Sequence, residues 1–372
     1  MADEKQKNST SQKKQENELR PALIVSKDTI ALYSTMMIHL LVGLADESKP
    51  SALVCPAGID VESLILPDVM IIRHPVYNIP VLCYQNRKIL LERLERFRPT
   101  VLHCLCSQQA ALTKWLSRHL DIPYVLTVNS LLKRWRRFSV SSRHCAKITV
   151  PAKSIADNIN KFHPGISARI QQVNMGSFVE DAVACFDKTS EIASIVTIGP
   201  LDNIIEFESL FDAVRHLAID GYEFVLFLMG DGKAETQLRQ LIISLGLSKN
   251  VIIVPNLLPR RLIISACDIF VQHRPTEEFN PLVLEAMSVG AVVATCKGGV
   301  DDLAIDNKTA LVFDPEDELS IYSALQRLMD ARDFARKLAA DAQEYIRENH
   351  SVSKMVNEIL SIYHNAKLWY GS

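Results

Sequence analysis

The chain has 372 residues, 48% of them hydrophobic, which is long and apolar enough for two globular domains. Its formal net charge of −2 provides no basic field, so nucleic acid is not expected as a partner. The eight cysteines show neither C-x2-C nor paired histidine spacing, and a zinc site is not expected. They stand mostly in apolar runs, which is typical of reduced core cysteines in a cytoplasmic protein.

The first 20 residues are almost free of apolar side chains and are expected to form a disordered polar tail, not a signal peptide. The longest apolar run, 30–45, is interrupted by polar residues and is expected to be too short and too polar to span a membrane. From 21 to 178, apolar runs alternate with helical periodicity. The predicted strands are 22–26, 51–55, 69–73, 101–106, 123–128, 147–150 and 170–173, and the predicted helices are 34–45, 87–97, 108–119 and 152–162.

The same alternation returns after a predicted linker at 179–190. The predicted strands are 193–198, 224–229, 250–254, 268–272, 292–295 and 310–313, and the predicted helices are 207–218, 235–245, 260–265 and helices within 319–347. The last segment, 351–372, is an amphipathic helix. The expected fold class is therefore α/β, with two doubly wound, Rossmann-like parallel sheets (21–178 and 191–350) facing a central cleft. Such sheets bind ligands at the carboxyl ends of their strands.

The stretch from 271 to 290, VQHRPTEEFNPLVLEAMSVG, reads as a strand, a polar loop and a helix. Glu277 stands in the loop, and Glu285 stands inside an apolar run of helical spacing. A carboxylate in such a run needs partners, because an unpaired buried charge is unfavourable. Free N–H groups at the start of the helix attract anions. An anion site flanked by two carboxylates that accept hydroxyl hydrogen bonds indicates a sugar nucleotide as ligand.

The Glu-x7-Glu spacing occurs in many helices by chance, but the surrounding residues narrow its meaning. Together with Gly290, Gly298-Gly299 and Leu311-Val312-Asp314, the stretch resembles the signature of retaining GT-B glycosyltransferases of family 4. The resemblance covers about 190–345 strongly and 21–178 more weakly. It implies a donor-sugar contact for Glu277, a ribose contact for Glu285, and further donor contacts for Phe279, Asn280, Leu282, Gly199 and Gly230.

The resemblance implies a glycosyltransferase of glycan biosynthesis that moves a sugar from a nucleotide-sugar donor with retention. It also implies that neither a metal ion nor another cofactor is needed, and the sequence has no Asp-x-Asp signature. In this family the departing diphosphate helps to deprotonate the acceptor, and cations around the diphosphate stabilise its charge. The resemblance further implies that the last helix crosses back onto the first domain.

The sequence departs from the family where these cations are expected. The family pattern Gly-Arg-Leu corresponds here to Gly199-Pro200-Leu201, and its Lys-Gly pair corresponds to Ile205-Glu206. Both cations are absent, and a glutamate facing a phosphate would repel it. Arg274, in place of a small residue, is the first candidate to supply the missing charge and is assigned to the catalytic site with Glu277.

Two other interpretations of the arginines remain open. Arg260 and Arg261 are further candidates for the missing charge, or they are solvated surface residues at the start of a short helix. Arg274 itself has an alternative, which is an ion pair with Glu277 or with Glu278, the residue that replaces a loop glycine of the family.

Acceptor-side candidates lie in the first half. His103 is predicted either to face the ligand or to be a satisfied histidine at a strand end. Asn129 stands where the family often has histidine, and Lys27-Asp28 replaces a glycine pair. The segment 131–138, LLKRWRRF, contains four cations around a tryptophan, and we assign four of its residues to the acceptor side: Lys133, Arg134, Arg136 and Arg137.

A basic and aromatic segment of this kind can contact anionic lipid headgroups or a phosphorylated acceptor, with a solvated helix face as the alternative. The expected partners are therefore a nucleotide sugar, an acceptor of unknown identity and an anionic membrane surface at the cytoplasmic face. Two rival functions remain open. One is a weakened or inactive GT-B protein that binds a sugar nucleotide, a glycan or a partner protein. The other is a sugar-nucleotide epimerase of the same architecture, disfavoured because 277–290 matches the transferases.

Overall fold

The structure, a computed structural model, describes residues 18–59, 61, 66–75, 80–133, 140–187, 192–256 and 260–371, with the backbone alone at 80–83. The chain divides into two compact units, Met1–Gly176 with Val352–Ser372, and Ser177–Ser351. Most of the predicted polar tail, 1–17, lies outside the described residues. Its last residues belong to the fold, since Leu19 is buried and the Arg20 guanidinium donates to the Phe97 carbonyl at 2.9 Å.

Seven strands form the sheet of the first unit: β1 (Pro21–Ile24), β2 (Ser51–Pro56), β3 (Val69–His74), β4 (Val101–Cys104), β5 (Tyr124–Thr127), β6 (Cys145–Val150) and β7 (Ile170–Gln172). Their order is β3-β2-β1-β4-β5-β6-β7, and each pairing is parallel. The helices of the first half are α1 (Lys27–Asp46), α2 (Pro80–Phe97), α3 (Ala110–Leu120) and α4 (Lys153–Phe162), with 3-10 turns at Ser107–Gln109 and Pro164–Arg169. Burial on both faces explains why β1, β4 and β5 are buried throughout and mostly apolar.

Helix α1 begins seven residues before the predicted helix, because Ser26 caps it. The Ser26 hydroxyl accepts the Thr29 N–H at 3.1 Å, so Lys27 and Asp28 are helical rather than part of a loop. With 20 residues and a mean hydropathy of 1.4, α1 is long and apolar enough to cross a bilayer by length and composition alone, a property that buried core helices share, and the expectation that 30–45 does not span a membrane stays a prediction. Half of this stretch is buried, and α1 packs against β2 in the manner of a core helix.

Six strands form the sheet of the second unit: β8 (Ala193–Ile198), β9 (Phe224–Met229), β10 (Val251–Val254), β11 (Ile269–Gln272), β12 (Val292–Cys296) and β13 (Leu311–Phe313). Their order is β10-β9-β8-β11-β12-β13, again with parallel pairings. The helices are α5 (Ile205–Ile219), α6 (Glu235–Ser244), α7 (Arg260–Ile264), α8 (Pro281–Val289), α9 (Glu318–Asp330) and α10 (Arg332–Asn349). Both sheets therefore have the doubly wound, parallel architecture that the alternating pattern predicts.

Helix α8 is buried at every residue and is held at its end by the segment that follows the first unit. The Cys185 N–H donates to the Gly290 carbonyl at 2.9 Å, and the Cys185 side chain is fully buried. Gly290 ends α8 with a φ of 77°, and a Cβ there would lie 2.7 Å from the Val183 Cα. Part of the segment suggested as a linker, 179–190, is thus packed into the second unit.

The C-terminal helix α11 (Val352–Gly371) belongs to the first unit and packs against α1 and β6. Gly43 of α1 allows a close approach, because a Cβ there would lie 2.4 Å from a methyl group of Val356. The Tyr363 hydroxyl forms a 2.6 Å hydrogen bond with His103 Nδ1, while Thr127 Oγ1 lies 2.7 Å from its Nε2. The ring of His103 is 1% exposed, and this burial lowers its pKa to about 3.

We expect Gly43→Ala to destabilise the first unit, although alanine favours a helix. Overpacking against Val356 costs roughly 1–3 kcal/mol, whereas the helix propensity gained is about 1 kcal/mol. Chemical denaturation of Gly43→Ala, Val356→Ala and the double variant measures the coupling. The double variant should be more stable than the sum of the single losses predicts. Additive losses would show that the two helices do not approach closely at this point.

The stability of the first unit should fall in acid through His103. Because its folded-state pKa lies below the ordinary value of 6.5, the unfolded chain takes up the proton first, so stability present above pH 6.5 is lost as the pH falls toward 3. Between pH 7 and pH 5 this loss is about 2 kcal/mol for one such histidine. In urea unfolding, the free energy of unfolding of His103→Gln should fall by about 2 kcal/mol less between pH 7 and pH 5 than that of the parent. Equal sensitivity would mean that His103 is protonated in the folded state.

Candidate functional site

The order of the second sheet reverses at β8, which pairs with β9 on one side and with β11 on the other. Ligands of doubly wound sheets bind outside the carboxyl ends of the strands at such a point. Gly199 follows β8 directly, and Arg274 follows β11 by two residues. The structure brings these two predicted site residues together, with Arg274 Nη2 lying 3.9 Å from the position of a Cβ on Gly199.

Gly199 and Gly230 are both predicted to contact the donor, and Gly230 also has a packing role, which it shares with Gly232. A Cβ on Gly230 would lie 1.9 Å from the Gly199 carbonyl oxygen, and one on Gly232 would lie 2.2 Å from the Leu201 carbonyl. The loop after β8 and the loop after β9 therefore approach at a distance that only glycine permits. The Leu201 N–H also donates to the Asp231 carbonyl at 3.1 Å. The donor contacts of these glycines stay predictions.

Arg274 forms an ion pair with Glu206, donating from Nη1 to Oε2. Glu206 is the second residue of α5, in the first turn of that helix. Each side chain is 32% exposed, so the pair lies at the surface of the carboxyl edge. The sequence suggested Glu277 or Glu278 as the partner. The partner in the structure is Glu206, the glutamate that replaces the glycine of the family Lys-Gly pair.

His273 is a buried residue of this edge that the sequence analysis missed. Its Nδ1 lies 2.9 Å from the Thr197 hydroxyl, and its ring stacks on Phe207 at a centroid distance of 4.5 Å. Burial, assisted by the neighbouring Arg274 charge, lowers the pKa of His273 to about 3. The imidazole is therefore neutral at physiological pH and adds no positive charge beneath Arg274. β11 is buried at every residue, and the position of His273 directly after this apolar run was the signal that could have indicated it.

Glu277 is exposed on a loop whose backbone is tied to the loop after β12. Thr276 and Gly299 form a parallel bridge, and the Val300 N–H donates to the Thr276 carbonyl at 2.8 Å. A Cβ on Gly299 would lie 2.2 Å from the Thr276 carbonyl oxygen. The Glu277 side chain thus projects from a braced loop, which suits a carboxylate that must be positioned for a ligand.

The start of α8 is capped from within the chain. The Asn280 side chain accepts the Leu282 N–H at 3.0 Å and donates to Gln272 Oε1 at 3.0 Å. Pro281, the first helical residue, has no N–H. The amide of Leu282, predicted to face the donor, is therefore engaged by Asn280. Phe279, another predicted donor contact, is 2% exposed and forms part of the core beneath the loop.

Glu285 is 5% exposed within α8, and Arg260 is the cation whose charge interacts with it. Burial lowers the pKa of Arg260, and the Glu285 carboxylate opposes that shift. Arg260 also donates to Asn256 at 3.1 Å. Arg261 donates to the Phe178 carbonyl at 2.7 Å and to Glu180 at 2.9 Å. Neither arginine is the solvated residue that one interpretation expected.

A second ion pair lies at the ends of β12 and β13. Lys297 Nζ lies 2.8 Å from Asp314 Oδ2, and this contact raises the pKa of Lys297 and lowers that of Asp314. Both groups are well exposed, so the pair is weakly stabilising. No group of three or more histidine, cysteine or acidic side chains that could hold a metal ion occurs in the part of the chain that the structure describes.

The acceptor-side candidates fall in the first unit. His103 is a buried and hydrogen-bonded histidine in β4, which agrees with the second of its two interpretations. The Asn129 side chain donates to the Leu105 carbonyl at 3.1 Å, bridging the ends of β4 and β5. Lys133 is exposed. The other basic residues assigned to the acceptor side lie outside the described residues: Arg134, Arg136 and Arg137.

Comparison with known proteins supports a transferase relationship in the second half of the chain. Residues 188–349 match the family described as glycosyl transferases group 1. An alpha-D-kanosaminyltransferase of Streptomyces kanamyceticus is 26% identical over 159 residues, which is 42% of this chain and 41% of that protein. The match therefore spans less than half the length of this curated relative.

Solved structures share the whole architecture. A glycosyltransferase from Rickettsia africae ESF-5 has a TM-score of 0.76 at 15% identity, covering 94% of this chain and 99% of that one. Anabaena Alr3699/HepE, in complex with UDP-glucose, has a TM-score of 0.75 at 13% identity, covering 92% and 99%. At such identities the likeness concerns the fold. Residues 188–349 thus match the glycosyl transferases group 1 family, and the chain has the GT-B fold of these glycosyltransferases.

Proposed function

We propose that the chain transfers a sugar from a nucleotide-sugar donor to an acceptor, with retention, in the manner of family 4 enzymes. The observation that carries this proposal is the placement of the 271–290 stretch. Its loop and helix lie at the carboxyl edge of β11, inside the region matched by glycosyl transferases group 1. The kanosaminyltransferase similarity and the UDP-glucose complex of a structural neighbour support a nucleotide sugar as donor.

The proposed roles follow from exposure and charge. Glu277, on its braced and exposed loop, is assigned to the donor sugar. Glu285, in the buried helix beside Arg260, is assigned to the ribose. Arg274 reaches the turn after β8, close to Gly199, and is assigned to the diphosphate, which gains charge as it leaves. We propose that no metal ion or other cofactor takes part.

A second candidate function is a GT-B protein that binds a sugar nucleotide, a glycan or a partner without transferring sugar. The observation that favours it is the ion pair of Arg274 with Glu206, since Pro200 and Ile205 supply no further cation. Titration with a panel of nucleotide sugars, together with a hydrolysis assay, separates the two functions. Binding with hydrolysis or transfer supports the enzyme, and binding without either supports the second candidate.

The proposals for the location of the protein and for its acceptor rest on the sequence alone. We propose a cytoplasmic protein whose basic segment 131–138 contacts anionic lipid or an anionic acceptor at the inner membrane face. Only 131–133 of this segment belong to the described residues. Cations near an anionic bilayer attract it by about 1 kcal/mol each, and salt screens that attraction.

Loss of either glutamate should weaken nucleotide-sugar binding. Glu277→Ala and Glu285→Gln each remove a charge-assisted hydrogen bond worth roughly 1.5–3 kcal/mol, so affinity should fall by about one to two orders of magnitude. Isothermal titration calorimetry measures this loss. Glu223→Ala, an exposed glutamate before β9 at the opposite edge of the sheet, is the matched control and should bind like the parent. If Glu277→Ala binds nucleotide sugars with the affinity of the parent, the donor-sugar contact assigned to Glu277 is wrong.

Added cations should raise turnover. Pro200 and Ile205 are both exposed at the carboxyl edge, so Pro200→Arg with Ile205→Lys places two charges there without disturbing the core. Charge stabilisation of a leaving group is worth roughly 2.7–4 kcal/mol per donor, and even a tenth of that would be measurable in single-turnover hydrolysis. Arg274→Ala should lower turnover far more than it lowers the stability of the fold. A fully active Arg274→Ala variant would contradict the proposed charge deficit.

A further inference from the structure

Helix α5 begins at the turn after β8, where a doubly wound sheet places the phosphate of a nucleotide. Its N-cap, Ile204, makes no side-chain hydrogen bond to the helix, and the Asn203 side chain accepts the Ile205 N–H at 3.2 Å. The first turn contains Glu206 and Glu208. Carboxylates there interact favourably with the positive end of the helix dipole, which is the interaction a bound phosphate would otherwise make.

The carboxylate of Glu206 also accepts a hydrogen bond from the guanidinium of Arg274. Arg274 reaches from the end of β11 to the end of β8, close to Gly199, and donates there to Glu206. This point of the sheet has two positive features: Arg274 donates to Glu206, and the N-terminus of α5 has Glu206 in its first turn. Since an ion pair that is one-third exposed is weak, an incoming anion can exchange with it.

We propose that Glu206 is an internal anion that competes with the donor diphosphate for Arg274 and the N-terminus of α5. Donor binding then requires the Glu206 carboxylate to leave the guanidinium, and the phosphate takes its place. This inference rests on the proposed function, because it concerns the diphosphate of the same donor. It identifies Glu206 as the residue that limits diphosphate affinity, whereas Arg274 is the residue that provides it.

The test uses inorganic pyrophosphate, UDP and uridine as probes in calorimetric titrations of the full chain. Pyrophosphate has the diphosphate chemistry without committing to a base, and uridine lacks the phosphates. We expect Glu206→Gln to tighten pyrophosphate and UDP binding by about tenfold, since it removes both the competitor and its repulsion. Uridine binding should not change.

Glu208→Gln is the matched control, because it removes the same charge from the same helix turn without touching an ion pair that involves Arg274. It should change pyrophosphate affinity less than twofold, by an amount that reflects helix-end electrostatics alone. In an Arg274→Ala background the gain from Glu206→Gln should shrink. Glu206→Asp, which keeps the charge but draws it back, should give an intermediate gain, and thermal unfolding verifies that each variant is folded.

The outcomes separate this inference from the proposed function. A gain specific to Glu206→Gln supports the inference even in a protein that turns over no nucleotide sugar, in which case only the transfer proposal fails. Equal effects of Glu206→Gln and Glu208→Gln would overturn the inference and leave the transfer proposal intact. A tightening of uridine binding as large as that of pyrophosphate would also overturn it, because the carboxylate would then act on something other than phosphate.

Discussion

Parallel pairing is the constraint on which the rest of this structure depends. Each strand described in either sheet runs in the same direction as its neighbour, so the chain must return across a face of the sheet before the next strand begins. The returning helices bury both faces, and only the edges stay accessible for polar chemistry. At β8 the strand order reverses, and the loops after β8 and β11 follow neighbouring strands at the same edge of the sheet.

Two arginines of the second unit show how differently one residue type can be used. Arg261 donates to a carbonyl, a carboxylate and the Ser288 hydroxyl, which anchors the chain segment after Gly176 to α8. Arg274 has one acidic partner among the described residues, on a neighbouring helix, and a third of its side chain is exposed. The first arrangement is rigid because several acceptors share the planar guanidinium. The second arrangement, the partly exposed ion pair of Arg274, is suited to exchange of one anion for another.

The strand and helix pattern was largely accessible from sequence, because buried parallel strands form mostly apolar runs. The runs predicted at 193–198 and 224–229 have the bounds of β8 and β9. Helix caps were harder to predict. The start of α1 was missed because the Ser26 hydroxyl extends the helix in the N-terminal direction beyond its apolar pattern. Local hydrogen bonds of this kind leave little trace in periodicity.

The candidate site was less predictable than the fold, because its contacts depend on strand order. Arg274 and Glu206 are far apart in sequence, and they meet only because β8 and β11 are neighbours in the sheet. The glutamates close to Arg274 along the chain, Glu277 and Glu278, were the partners that the sequence suggested. The glycines after β8 and β9 were recognised, but their packing against each other depends on three-dimensional distances that composition does not contain.

The placement of α11 makes the first unit discontinuous in sequence. The contacts of Gly43 with Val356 and of His103 with Tyr363 join the two ends of the chain, and the whole second unit is inserted between them. During synthesis the second unit precedes α11, so every residue of the second unit is added before α11 is. The apolar face of α1 that α11 covers therefore remains open until α11 has been made.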